Sequence, residues 1–244
     1  MNTNKFTFTI PSMLHYLLAF LLLEFICMQA HEITHHLVGR IVCGDWGNMT
    51  FNIFTLAEGC FETKKIALLS TLAGPALSYF LMWAGMIFVL RSKYILFGFS
   101  LIFANLPFAR FVSVVLGGGD ETVIARGLIE TNTYLVLLFV VVFIILPPLI
   151  VAYKAIANNY HWLFFVSFLL LPLAFDALLK RVLLAPLVTR WGLLAIPVFG
   201  IPFFIISFDL VMLAAFLWFA QYLFREAKPK SVFIGGKQQY SASL

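Results

Sequence analysis

The residues best suited to chemistry lie in one short stretch, His31-Glu32-Ile33-Thr34-His35-His36, inside a long apolar run. On a helix, two histidines four residues apart differ by about 40° in azimuth and roughly 6 Å along the axis, so His31 and His35 can hold one metal ion between them. Glu32 then stands beside that ion. A carboxylate there can take a proton from an attacking water and pass it to a leaving amine, the working arrangement of zinc metallopeptidases. His36 lies about 140° round the helix from His31 and reads as a satisfied or interfacial histidine.

The surrounding chain must supply a membrane-spanning scaffold. The sequence has 244 residues, of which 62% are hydrophobic and 11% charged, with 28 phenylalanines. The mean hydropathy is +1.00. This composition excludes an ordinary soluble domain. The net charge of +5 is spread over short loops and the C-terminal tail, which argues for lipid headgroups and against nucleic acid. The expected fold is all-α: a single polytopic domain of about six transmembrane helices, with a short re-entrant or strand-like loop after the first.

The first apolar run extends from Pro11 to Cys43, longer than a hydrocarbon core of ~30 Å needs, so its helix must tilt, bend or project. Glu24, Cys27, His31 and His35 fall along one stripe of it. Glu24 should therefore face the bundle interior. From Gly44 the chain turns polar, and Met49 to Leu56 alternates in the strand period. Further spans are expected at 66–90, 94–116, 133–153, 161–179 and 191–224, followed by a loose polar tail at 225–244. Pro107 should break the third span, and Gly117-Gly118-Gly119 gives a flexible link to Asp120.

Six spans place both termini on one side. That side carries Lys5, Arg91, Lys93, Lys154, Arg225, Lys228, Lys230 and Lys237, against Arg40, Lys64, Lys65, Arg110, Arg126, Lys180, Arg181 and Arg190 on the other. The tie leaves orientation open. Of three cysteines, Cys43 and Cys60 bracket one loop and would pair if it faced an oxidising side, though two unpaired thiols is the plainer expectation.

Three stretches together resemble the site-2 protease family: HEITH at His31–His35, AGPALSY at Ala73–Tyr79 and ANLPFAR at Ala104–Arg110. The resemblance covers roughly residues 20–125, so residues 10–125 would form the catalytic core and 133–224 accessory helices. It implies one zinc ion ligated by His31 and His35, with Glu32 as general base and acid. Gly74 and Pro75 would let the second span pack closely on the metal helix. Asn105 would orient the substrate carbonyl or stabilise the oxyanion; its plainer role is to satisfy backbone carbonyls near Pro107. The loop at 50–56 would offer an edge to a membrane-embedded protein or peptide substrate unwound into a strand.

The family takes its third ligand from an aspartate soon after the Asn-Pro pair, where this chain has Ser113. Asp120 becomes the candidate if the third span breaks and folds back; otherwise it caps a helix. Asp176 and Asp209, each inside a late apolar span, are the alternatives. Two other function classes compete. A membrane lipid oxidase would need several histidine boxes, and this chain has five histidines in all. A transport or binding protein with a structural metal site, a pseudoprotease, would have no use for Glu32.

Overall fold

A computed structural model describes residues 5–6, 10–63, 65–128, 133–224, 233–234 and 237–238. Six of its helical segments are long and apolar enough to cross a membrane, and the sheets are small. Most of the tail expected to be loose, 225–244, lies outside the described residues.

Helix α1 (Ile10–Cys43) runs unbroken for 34 residues. At 1.5 Å per residue that is about 51 Å, so it outruns the hydrocarbon core and carries its last turns toward the polar loop. There β1 (Asn48–Met49) and β2 (Phe54–Thr55) form an antiparallel hairpin with Asn48 opposite Thr55. The short α2 (Cys60–Thr63) follows. A Cys43–Cys60 disulfide closes the loop, which corrects the expectation of free thiols. Residues 17 apart in sequence are brought together because the hairpin doubles the chain back on the end of α1. Cys27 remains a free thiol in the core.

Helix α3 (Leu68–Leu90) returns through the bundle against α1. The third span is broken, as Pro107 predicts, into α4 (Ile95–Ala104) and α5 (Pro107–Val115). Leu106 takes a left-handed φ of 50° at the break. The chain then turns through Gly117 and Gly119, both at positive φ (69° and 76°), into α6 (Gly119–Leu128). Glycine meets that backbone demand without a Cβ clash.

The remaining helices are α7 (Thr133–Phe139), α8 (Leu146–Ala155), α9 (His161–Asp176), α10 (Ala185–Thr189) and α11 (Phe203–Phe219). Wide π-type turns at 140–145 and 177–184 join α7 to α8 and α9 to α10. The fifth span therefore continues to Thr189, ten residues past the expected end, and carries Lys180 and Arg181 within it. The sixth begins at Phe203, later than expected. Residues 191–202 instead form a turn and a second hairpin, β3 (Pro197–Val198) with β4 (Ile201–Pro202), because two prolines and two glycines deny a continuous helix. Arg110 and Lys180 prove to be buried rather than loop charges.

Buried residues make up 67% of the third span's apolar window and 6% of the last one's, so α4–α5 is central and α11 peripheral. Around α4 an aromatic cluster fills the core. Phe99 and Phe103 meet Phe168 of α9 with ring centres 4.9 and 5.9 Å apart, and Phe20 of α1 meets the same ring at 5.1 Å.

The disulfide predicts one reactive thiol per chain in denatured, unreduced protein and three after reduction, measured by maleimide addition and intact mass. The Cys43→Ser/Cys60→Ser variant should lose about 3 kcal/mol of stability, read from denaturant unfolding in micelles. Three thiols without reductant would contradict the pairing.

Candidate metal centre

Two elements far apart in sequence, α1 and α6, meet at His31, His35 and Asp120. Nε2 of His31 and Nε2 of His35 are 3.0 Å apart, and each lies 3.3 Å from Oδ2 of Asp120. A tetrahedral ion with ligands at about 2.0–2.1 Å sets its donors roughly 3.4 Å apart, so the spacing fits a single ion. The donor set of two imidazole nitrogens and one carboxylate oxygen suits a divalent transition metal. The break at Leu106 and the turn at Gly117–Gly119 bring Asp120 back over α1. Burial works to raise the Asp120 carboxyl, but hydrogen bonds and charge from His31 and His35 outweigh it and hold the group well below the ordinary carboxylate range.

Both imidazoles are oriented from behind. Nδ1 of His35 donates to the Ser70 carbonyl at 2.6 Å, which leaves the lone pair on Nε2 facing the centre. The ring also stacks on Phe54 of β2 at 4.2 Å. Nδ1 of His31 lies 3.1 Å from Ser78 Oγ and 3.0 Å from Nη2 of Arg110. For Nε2 of His31 to hold a metal, Nδ1 must carry the proton and donate to Ser78 Oγ. Arg110 is tied down in turn: Nη2 donates to Ser78 Oγ at 2.9 Å, Nη1 to Glu121 at 3.0 Å and Nε to the Asn105 carbonyl at 3.2 Å. Tyr79 Oη donates to the same Glu121 oxygen at 2.6 Å.

Gly74 explains why α3 carries a small residue at its closest approach. A Cβ at Gly74 would stand 2.6 Å from Cε1 of His35 and 2.7 Å from Cε1 of His31, and closer still to Nε2 of His35. Only glycine lets α3 come near enough for Ser70 and Ser78 to reach the two rings.

The triad opens into a cleft of about 350 Å³ that Glu32 also lines. Phe51 to Phe54 form one wall, and Asp176, Lys180 and Arg181 line it further along. Among the described residues β2 pairs only with β1, so its second edge has no strand partner.

Asn105 does not line the cleft. It is fully buried at the end of α4, where Nδ2 donates to the Leu101 carbonyl at 2.8 Å and Oδ1 has no hydrogen-bond partner. Its side chain therefore performs the plainer role, satisfying the backbone near the helix break. The basic side chain at the centre is Arg110, which the sequence reading had counted among loop charges. Its signal was available: a basic residue three positions after a mid-membrane proline needs buried partners. Asp176 and Asp209 stand outside the triad. Asp176 pairs with Lys180 at 2.7 Å, and His36 donates to the Phe199 carbonyl at 2.7 Å, away from the triad.

Gly74→Ala should abolish stoichiometric metal binding, because its methyl group enters the space of the His35 ring. Ser78→Ala should weaken it about 10- to 100-fold by freeing His31 and leaving Arg110 against its ring. Metal content by mass spectrometry and calorimetric titration would decide; full affinity in Gly74→Ala would contradict the site. No protein-family model, curated protein or solved structure matches this chain, so the centre is read from its own geometry.

Proposed function

We propose that the protein is an intramembrane zinc metalloendopeptidase acting on membrane-embedded protein or peptide segments. The observation that carries this reading is a cluster of three potential metal donors at a cleft that a further carboxylate, Glu32, also lines. Structural zinc sites close their coordination with four protein ligands, whereas catalytic sites keep a position open beside a general base. Here His31, His35 and Asp120 are the three ligands, and Glu32 is the free carboxylate.

His31, His35 and Asp120 would hold the zinc ion, which would supply Lewis acidity when bound. Glu32 accepts a proton from the attacking water and returns it to the leaving amine. The open edge of β2 receives the substrate as an added strand, with main-chain hydrogen bonds holding the peptide extended along the cleft. A transmembrane helix cannot be cut in place, since its carbonyls are already hydrogen-bonded within the helix. Residues that loosen a helix near the scissile bond should therefore mark good substrates. Arg110, anchored on Glu121 and Asn105, presents a cationic donor to the cleft where Asn105 does not reach. The resemblance to site-2 proteases in HEITH, AGP and Asn-x-Pro supports the same reading.

Glu32→Gln should keep full metal content and lose about 10²- to 10⁴-fold in turnover. The assay is cleavage of single-span peptides with helix-breaking residues, co-reconstituted in liposomes. Metal-replete Glu32→Gln protein that cleaves at the wild-type rate would sink the peptidase assignment. Metal-replete wild type that cleaves none of the panel would favour a structural metal site.

A further inference from the structure

A second group of ionisable side chains lies inside the bundle, and two of them, Asp176 and Lys180, line the same cleft. Helix α1 contributes Glu24, seven residues before His31; α9 ends in Asp176; the π-type turns after it carry Lys180; and α11 contributes Asp209. Glu24 is fully buried with its carboxyl against that of Asp176, and among the described residues no donor group faces either of its oxygens. Asp209 Oδ1 is likewise buried without one. Lys180, 1% exposed, is the hub. Its Nζ is 2.7 Å from Asp176 and 5.2 Å from the ring centre of Phe25, and it interacts through charge with Glu24 and with Asp209. The other titratable groups in reach are the Cys27 thiol, facing Glu24 and Lys180, and Glu32, which Lys180 also influences.

The charges here do not balance. Three carboxyls against one ammonium would leave a net −2 if all were ionised (1 − 3), in an interior where an uncompensated charge is neutralised or paired. Lys180 pairs directly with Asp176, and one ammonium cannot offset all three carboxylates. Among the described residues the group of three donors close enough to share an ion is His31, His35 and Asp120, to which Glu24 and Asp209 do not belong. A proton needs one oxygen and no coordination shell, and neither oxygen of Glu24 faces a donor among the described residues.

We infer that Glu24 and Asp209, each facing the charge of Lys180, are intramembrane proton-binding groups, which the Lys180–Asp176 pair connects to the cleft beside the candidate metal centre. Asp176 and Lys180 line that cleft. A hydronium ion there gives up one O–H bond as a carboxylate oxygen gains one, and water is released with no change of oxidation state. Lys180 and Asp176 lie at an irregular π-type turn, a feature often found where helices carry function. The site goes beyond the peptidase reading, in which Glu32 takes and returns a single proton.

Infrared spectroscopy of the full chain in liposomes, without added metal, tests this directly. Wild type at neutral pH should show the carbonyl band of protonated carboxylic acids, shifted in deuterated water. Glu24→Gln and Asp209→Asn should each lose about half of it, and the double variant all of it. Dicyclohexylcarbodiimide, which attacks protonated carboxyls in apolar surroundings, should modify Glu24 as mapped by peptide mass spectrometry. A band unchanged in both single variants, with thermal unfolding showing them folded, would overturn the proposal. So would a band that appears only when sodium is replaced by a bulky organic cation, which would assign the site to sodium. Because the band is read without metal, failure of the peptidase reading would leave this result standing, and the reverse.

Discussion

The contact on which the rest of the structure depends is the approach of α3 to α1 at Gly74. An apolar interior tolerates two imidazoles and a carboxylate only when every polar atom faces a partner, and those partners come from α3. The Ser70 carbonyl and the Ser78 hydroxyl reach the backs of His35 and His31 because no side chain intervenes at Gly74. The same absence leaves room in front of the rings. One glycine thus both brings the supporting groups close and keeps the centre open.

A second constraint comes from Arg110. A buried guanidinium needs its charge met, and Glu121, next to Asp120 in sequence, meets it at 3.0 Å. The turn at Gly117–Gly119 therefore delivers two carboxylates with different tasks. Asp120 faces the imidazoles and Glu121 faces the arginine. Tyr79 and the Asn105 carbonyl complete the set, so the break in the third span, the turn and the AGP segment act as one unit. The hairpin held by the Cys43–Cys60 disulfide closes the other wall and puts Phe54 against His35.

Apolar surface on the outer helices follows a different rule. Residues such as Trp218 and Leu217 on α11 are 73% and 67% exposed, which lipid would accept and water would not. Among the described residues, interior polar groups gather at the His31–His35–Asp120 triad and around Lys180, and one cleft is lined by His31, Asp120, Asp176 and Lys180.

Much of this was legible in the sequence. Hydropathy and length determine that the chain is helical and spans a membrane, because only helices or closed barrels satisfy their backbone there. Helical period alone pairs His31 with His35, and Pro107 with the triple glycine announces a break and a turn. What sequence could not decide were partners distant along the chain. Whether Asp120 folds back or stays at the membrane edge depends on the left-handed residues at 106, 117 and 119 acting together. Whether Arg110 and Lys180 are loop charges or buried ones depends on carboxylates 11 and 4 residues away. Asn105 faces its own helix because Leu101 offers a carbonyl nearer than the cleft. Periodicity reports which residues share a face of one helix; only the packing of α1, α3 and α4–α6 around Gly74 decides which faces meet.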